Sequence, residues 1–134
     1  MFFDLDIKTR LTKYYERTNK CIAIQGELLG PGIQQNFEGV PHYKYVIFNV
    51  YDIEAKRYMN PIDRQECIRE LGLESVPILQ LNFKLPESFR DVLAMADGPS
   101  SYGGKYREGL VFKSMTGNFA FKCISNAYLT KDNS

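Results

Sequence analysis

Glu108 and Gly109 directly precede the apolar residues 110–112, and basic residues stand on both sides of this stretch, which spans residues 105–114. The apolar run between glycines predicts a short buried strand with a carboxylate at its mouth. A carboxylate held by such a rigid element could meet a metal ion or a sugar hydroxyl. The simpler alternative is that Glu108 is a solvated charge beside a core strand, which is the more common arrangement.

A second carboxylate, Glu27, lies between two glycines near the end of a predicted strand. The strand is expected over the apolar residues 21–24, and Gly26 and Gly30 bracket the carboxylate. Because glycine permits close approach of another group, a ligand could reach Glu27 from either side. The Pro-Gly pair that follows Gly30 favours a type II turn. Composition leaves open whether this stretch binds a ligand or only ends a strand.

Phe48 and Lys122 stand in the middle of two further predicted strands. Residues 43–53 are rich in β-branched and aromatic types on both faces, which indicates a central strand covered on both sides. Phe48 is therefore either a core residue or a ring on which a nucleobase stacks. Lys122 interrupts a strand predicted over residues 118–129, where its side chain must either extend into solvent or meet an anion.

The remaining periodicity predicts an α+β fold with mainly antiparallel sheets and two to three helices. Asn60 and Pro61 open a helix that Gly72 ends, because these types favour the N-cap, the first helical position and the C-cap. The other predicted elements are a helix over residues 5–18 that starts near Asp4 or Asp6, a hairpin over 54–59, a strand over 76–83 and a helix over 85–96. One domain is expected across all 134 residues.

The overall charge indicates no partner, because 17 basic residues stand against 16 acidic ones. Residues 1–20 carry five basic and three acidic side chains, residues 21–98 seven and eleven, and residues 99–134 five and two. Basic ends of this kind would suit contact of one face with a polyanion. Three distant cysteines and one histidine argue against a disulfide framework and a Cys/His zinc site. Without a membrane span or a signal-peptide pattern, a reducing, cytoplasmic location is expected.

Four segments in order make the chain resemble the ATP-dependent RNA ligases of the covalent nucleotidyltransferase superfamily. They are residues 25–30 (Gln-Gly-Glu-Leu-Leu-Gly), the aromatic strand around Phe48, residues 108–111 (Glu-Gly-Leu-Val) and residues 121–125 (Phe-Lys-Cys-Ile-Ser). They are similar to the superfamily motifs called III, IIIa, IV and V. Residues 30–34 and 107–113 resemble the RNA-ligase branch in particular. The resemblance implies a partial nucleotidyltransferase domain of the ATP-grasp-like kind.

The resemblance also implies a role for individual side chains in binding ATP or AMP, Mg²⁺ or Mn²⁺, and RNA. Glu27 would bind the ribose, Phe48 would stack on adenine, and Lys122 would contact the α-phosphate. Glu108 would hold the divalent cation. These types suit phosphoryl transfer, which needs a cation and a fixed ammonium at the oxygens that gain charge. Arg107 and Lys113 are expected as RNA or phosphate contacts.

One departure from the superfamily pattern concerns the nucleophile. In these enzymes the lysine of a Lys-x-Asp-Gly motif attacks the α-phosphate and forms a lysyl-AMP. None of the ten lysines in this chain is followed by x-Asp-Gly, and the nearest match has Met95 in the nucleophile position. A thioether cannot form a phosphoramidate. A second departure is Ile124, where many relatives have another lysine, and it weakens the predicted phosphate contact.

These departures lead to the expectation of a C-terminal portion of an adenylyltransferase domain, with its nucleophile upstream of Met1 and no activity alone. The expected partners are RNA ends, the missing N-terminal segment and a second copy of the chain joined through open sheet edges, with no membrane contact. Two alternatives from other classes remain. One is a non-catalytic module that binds nucleotide or RNA, and the other is an unrelated α+β domain.

Overall fold

The computed structural model describes residues 5–33, 36–116 and 119–131. Asp4, Gln34 and Asn118, which the sequence predictions include, lie outside the described residues. The chain forms two compact units, the first made of Met1–Leu28, Tyr45–Val76 and Ser114–Asn118 and the second of Leu29–Lys44, Pro77–Lys113 and Phe119–Ser134. The predicted α+β class is confirmed, with four helices in the described ranges. None of these helices combines the length and the apolar character needed to cross a bilayer.

Among its described residues, the first unit contains two helices and a four-stranded sheet. Its elements are α1 (Ile7–Thr18), β1 (Ile22–Leu29), β2 (Lys44–Asp52), β3 (Arg57–Tyr58), α2 (Pro61–Leu71) and β4 (Glu74–Ser75). The α2 helix begins as predicted, because the Asn60 side chain accepts a hydrogen bond from the Asp63 amide and Pro61 stands at the first helical position. Gly72 ends it in the left-handed conformation at φ 70°.

The predicted central strand is confirmed as β2, which pairs with β1, β3 and β4. The β1 pairing is antiparallel, because Ile53 bonds back to Cys21 while Asn49 bonds to Gln25. The β3 pairing is also antiparallel, as the predicted hairpin requires, whereas β4 runs parallel to β2. The core of this unit consists of Tyr14, Ile47, Val50, Cys67, Ile68 and Leu71.

The strand predicted over residues 76–83 is wrong. The two-residue β4 lies just before this segment, and the structure assigns no strand to residues 77–83. Pro77 has no amide hydrogen to donate to a ladder. The apolar side chains that suggested a strand, among them Leu79, Leu81 and Phe83, are exposed.

The second unit is built around an antiparallel hairpin. Its elements are α3 (Phe89–Ala94), β5 (Gly109–Lys113), β6 (Ala120–Ile124) and α4 (Asn126–Leu129). The β5 and β6 strands face each other with Leu110 opposite Cys123 and Phe112 opposite Phe121. The stacked rings of Phe112 and Phe121 pack against a small core of Val92, Ala96 and Cys123.

Two predictions for the second unit need correction. The helix expected over residues 85–96 is shorter, because it begins only after Ser88, well past Pro86. The last strand ends at Ile124 instead of residue 129, because Ser125 caps a new helix by accepting a bond from the Tyr128 amide. With α3 and α4 both short, the described ranges contain four helices where two to three were expected.

Arg64 lies in the buried stripe of α2 and is only 6% exposed. Its Nε has no hydrogen-bond partner among the described residues, and burial lowers the pKa of the guanidinium. A buried cation without compensation is costly, so replacing Arg64 by methionine should raise the free energy of unfolding by about 1–3 kcal/mol. Urea unfolding measures this, with Arg69→Met on the exposed face of the same helix as control. A loss of stability in Arg64→Met would contradict the prediction.

Cys67 gives the folded protein a defined sensitivity to alkaline pH. The thiol is buried in the core of the first unit, and burial raises its pKa. In the unfolded chain a thiol ionises near about pH 8.5, so stability is fully present below that pH and is lost as the pH rises towards the folded pKa. The loss reaches at most about 1.4 kcal/mol per pH unit for this group.

Urea unfolding between pH 7.5 and 10 measures this pH dependence. Cys67→Ala should reduce the alkaline loss, even though its stability at neutral pH is lower, whereas Cys21→Ala at an exposed thiol should keep the wild-type profile. An unchanged slope in Cys67→Ala would rule out Cys67 as the source.

Candidate functional site

Glu108 and Lys122 form an ion pair in the second unit. The Lys122 Nζ donates to Glu108 Oε1 at 2.7 Å, and the side chains are 47% and 21% exposed for lysine and glutamate respectively. The sequence left open whether Lys122 extends into solvent or meets an anion, and the structure shows that it meets the carboxylate of Glu108. An ion pair with this exposure contributes no more than about 1 kcal/mol to folding.

The β5–β6 hairpin determines where these two side chains lie. Lys122 stands opposite Val111, which is 54% exposed, while the neighbouring Phe121 and Cys123 pack on the other face of the hairpin. Glu108 lies one residue before β5, at the mouth of the strand as predicted. Strand alternation thus directs Lys122 to the accessible face, where the carboxylate reaches it.

Gly109 allows the two strands to approach closely beside Glu108. A Cβ added at this position would collide with the backbone carbonyl of Cys123. The close spacing of β5 and β6 at this point therefore requires glycine at position 109, because no side chain fits between the strands.

Ser125 holds the backbone on either side of the Arg107–Glu108 peptide bond. Its buried Oγ donates to the Arg107 carbonyl at 2.7 Å, and its amide donates to the Glu108 carbonyl at 2.8 Å. The same Oγ accepts from the Tyr128 amide at 3.1 Å. Sequence reasoning did not identify Ser125 as a residue that positions the site. The signal available was a serine directly after a strand and before a short helical segment, which is typical of an N-cap.

Arg107 caps the C-terminal end of α3. Its guanidinium donates from Nη2 to the carbonyls of Met95 at 2.6 Å and Asp97 at 3.0 Å, and from Nε to Ala96 at 3.2 Å. A cation at this end satisfies carbonyls that lack helical partners. The structure thus gives Arg107 a structural role, and the RNA contact assigned to it stays a prediction.

Residues 95–98 (Met-Ala-Asp-Gly), which match part of the nucleophile motif, have a structural role in this unit. Asp97 Oδ1 accepts the amide of Asn126 at 2.8 Å, and its Oδ2 lies 3.3 Å from the Asn126 Nδ2. The aspartate therefore joins the end of α3 to the start of α4. Gly98 has φ 146°, a backbone conformation that favours glycine, with the Arg107 guanidinium next to its Cα.

Glu27 and Phe48 lie in the first unit, on the neighbouring strands β1 and β2. Both side chains are half-buried. Gly26 permits close packing between these strands, since an added Cβ would lie 2.6 Å from the Tyr45 ring and from the Val46 carbonyl oxygen. Two neighbouring strands thus hold a carboxylate and an aromatic ring, and the ribose and adenine contacts assigned to them stay predictions.

The remaining predicted site residue, Lys113, and the departure from the family pattern at Ile124 lie at the ends of the hairpin strands. Lys113 ends β5 opposite Ala120, and Ile124 ends β6 opposite Gly109. Both are half-buried. Within the described ranges, no group of three or more His, Cys, Asp and Glu side chains is arranged to hold a metal ion.

The ion pair defines what this part of the molecule can do chemically. The Glu108 carboxylate offers the hard oxygen ligand that Mg²⁺ and Mn²⁺ prefer, and the Lys122 ammonium offers three donors to an anion. A cation with an attached phosphate could exchange both partners at once, because the carboxylate would take the metal and the ammonium would take a phosphate oxygen. Neither charge would then be left without a counter-charge.

Comparisons with known proteins give consistent results. A family model described as RNA ligase matches residues 3–124. A substituted form of Naegleria gruberi RNA ligase, solved with ATP and Mn, aligns with a TM-score of 0.80 and 40% identity over 92% of this chain and 38% of that chain. A second substituted form, solved with AMP and Mn, aligns with the same values.

The same ligase solved with PPi aligns with a TM-score of 0.80 and 39% identity over 94% of this chain and 39% of that chain. The chain thus spans about two fifths of the length of these relatives. Among curated proteins, no sequence matches.

Proposed function

We propose, because the chain belongs to the RNA ligase family, that it supplies nucleotide-binding and metal-binding residues to an enzyme that joins RNA ends. The joining would proceed through an enzyme-adenylate and an RNA-adenylate. The observation that carries this proposal is the Glu108–Lys122 ion pair, on a hairpin that lies within the residues matched by the family model. The alternative of an unrelated α+β domain is wrong, because the family match covers residues 3–124.

Each unit would supply two side chains for the nucleotide and its metal. In the first unit, Glu27 would bind the ribose and Phe48 would stack on adenine. In the second unit, Lys122 would contact the α-phosphate and Glu108 would hold Mg²⁺ or Mn²⁺. The donor set fits the metal, since a partly exposed carboxylate leaves room for retained water ligands. Relatives solved with ATP and Mn or with AMP and Mn support the choice of ligands. Arg107 and Lys113 remain candidates for contacts to RNA or phosphate.

The Lys122 ammonium would stabilise negative charge on the α-phosphate. Negative charge grows on the non-bridging oxygens as a nucleophile attacks, and a fixed cation stabilises that charge more in the transition state than in the ground state. Glu108 keeps the ammonium in place before the nucleotide binds, at a distance of 2.7 Å. A bound divalent cation would add charge neutralisation at the phosphates.

The nucleophile would come from a sequence other than this chain. None of the ten lysines stands in a Lys-x-Asp-Gly motif, and the chain covers 38% of the length of its relatives. The proposed partners are RNA ends, a segment that carries this motif, and a second copy of the chain joined through sheet edges. The proposed location is the cytoplasm, where the three free cysteines would stay reduced.

The excess of basic side chains at both ends of the chain favours a second candidate function. The chain could bind nucleotide or RNA without chemistry, as a regulatory module. Both functions require ATP binding to depend on the same residues, and only the first leads to covalent transfer of AMP when a nucleophile is provided.

Thermal unfolding with ATP and Mn²⁺ tests the nucleotide site directly. Ligand at about a hundred times its Kd adds about 2.7 kcal/mol of stability, so the unfolding midpoint should rise clearly with both present. Glu108→Gln should reduce the rise, and Glu87→Gln, an exposed carboxylate of the same unit outside the site, should keep it. An unchanged midpoint for the wild-type chain at millimolar ATP and Mn²⁺ would overturn the proposal.

A further inference from the structure

We propose that a tyrosine–lysine cluster in the second unit binds single-stranded RNA. The cluster consists of Lys44, Tyr102, Lys105, Tyr106, Tyr128 and Lys131. Each lysine ammonium lies over a tyrosine ring, at 5.7 Å for Lys44 and Tyr102, 5.4 Å for Lys105 and Tyr106, and 4.1 Å for Lys131 and Tyr128. That the bound polymer is RNA rests on the proposed function. That the cluster suits a single-stranded nucleic acid rests on its lysines and tyrosines alone.

Contacts between three segments bring together the parts of the chain that carry the cluster. The Phe37 ring packs edge-on against Tyr128 with centroids 5.0 Å apart, which brings the 36–39 loop to α4. The same loop touches the 100–106 loop, since a Cβ added at Gly39 would lie 3.1 Å from the Gly104 Cα. Residues 37–39 therefore connect the Tyr128–Lys131 pair to the loop that carries Tyr102 and Tyr106.

Hydrogen bonds hold the 100–106 loop in shape. The Ser100 amide donates to the Gly104 carbonyl at 3.2 Å, and the Tyr102 amide donates to the Ser100 Oγ at 3.0 Å. At the base of the loop, the Arg107 amide donates to the Gly98 carbonyl at 2.8 Å. The rings are thus presented on ordered backbone, so that binding costs less conformational entropy than for a flexible loop.

Three cations and three aromatic rings are the two components that single-strand binding requires. Bases stack on aromatic rings whatever their sequence, and lysines contact the phosphates that follow one another along the strand. Each ammonium already lies over a ring. A base that stacks on the ring displaces the ammonium, which then lies close to the phosphate of the same nucleotide.

The cluster favours a single strand over a duplex. In a double helix the faces of the bases are covered by their neighbours, so tyrosine rings cannot reach them. The cluster therefore provides a place to hold RNA that does not use the residues assigned to the nucleotide.

Fluorescence anisotropy with a labelled, unstructured RNA of about twelve nucleotides, in low salt, tests the proposal on the whole chain. Tyr106→Ala should weaken binding about ten-fold while Tyr106→Phe, which keeps the ring, binds as the wild type. Tyr15→Ala is the matched control, since Tyr15 is 47% exposed and Tyr106 46%. Lys105→Ala should reduce the slope of log Kd against log salt by about 0.7, and Lys84→Ala should leave it unchanged.

Two results would overturn the proposal. One is equal affinity of Tyr106→Ala and Tyr15→Ala for the single strand, and the other is equal affinity of the wild-type chain for single-stranded and duplex RNA. Failure of ATP and Mn²⁺ to stabilise the chain, with RNA binding still dependent on Tyr106, would overturn the proposed function alone. Normal stabilisation by ATP with RNA binding insensitive to Tyr106 would overturn only the RNA site.

Discussion

In a chimeric RNA ligase that contains this chain, Lys122→Ala will slow RNA joining by about a hundred-fold or more while changing the stability of the fold by no more than about 1 kcal/mol. The stability effect is small because both members of the Glu108–Lys122 pair are partly exposed. The effect on rate is large because a fixed cation at a phosphate that gains charge acts mainly in the transition state.

This effect can be measured in a chimeric enzyme. Because this chain is 40% identical to Naegleria gruberi RNA ligase over 92% of its own length, it can replace the matching 38% of that enzyme. Joining of RNA by the chimera under single-turnover conditions gives the rate. Lys84→Ala, an exposed lysine of the same unit, is the control and should keep the parent rate. A rate for Lys122→Ala within two-fold of the parent would show that Lys122 does not contact the reacting phosphate.

Gly109→Ala will destabilise the second unit by about 3 kcal/mol, which is near the upper end for a single substitution. Its added Cβ would collide with the Cys123 carbonyl, and backbone on both strands of the hairpin must move to accommodate it. Because Glu108 directly precedes this position and Lys122 lies on the facing strand, the chimera should also lose joining activity.

Urea unfolding followed by circular dichroism measures the change. Val111→Ala on the same strand is the matched control, because this side chain is exposed and its truncation should cost no more than about 1 kcal/mol. Equal stability of Gly109→Ala and Val111→Ala would mean that the two strands do not need to approach so closely.

Helix ends and strands could be predicted from the sequence where a residue type has a strong preference for one local conformation. Asn60, Pro61 and Gly72 bounded α2 correctly because a cap, a first-turn proline and a left-handed C-cap each have a strong residue preference. The β2 strand was also predicted, since it is apolar on both faces. The position of Glu108 at the mouth of β5 followed from the glycines around a short apolar run.

Features that depend on distant contacts could not be predicted. The alternation in residues 76–83 imitates a strand, yet strand formation needs a partner, and the structure assigns none to residues 77–83. The ion pair joins residues 14 positions apart, and they meet only because of the register in which β5 and β6 pair. Neither residue type predicts that register. Ser125 was missed for the same reason, because its bonds to Arg107 and Glu108 form only once β6 has paired.

Covalent transfer of AMP from labelled ATP in the presence of Mn²⁺ tests the central claim most directly. The claim is that this chain provides residues that bind the nucleotide and the metal but not the nucleophile. We predict that the chain alone stays unlabelled, that the chimera with the rest of the Naegleria ligase becomes labelled, and that Glu108→Ala in the chimera reduces the labelling strongly. A covalent AMP adduct on the chain alone, or a folded chimera that takes no label, would contradict the account.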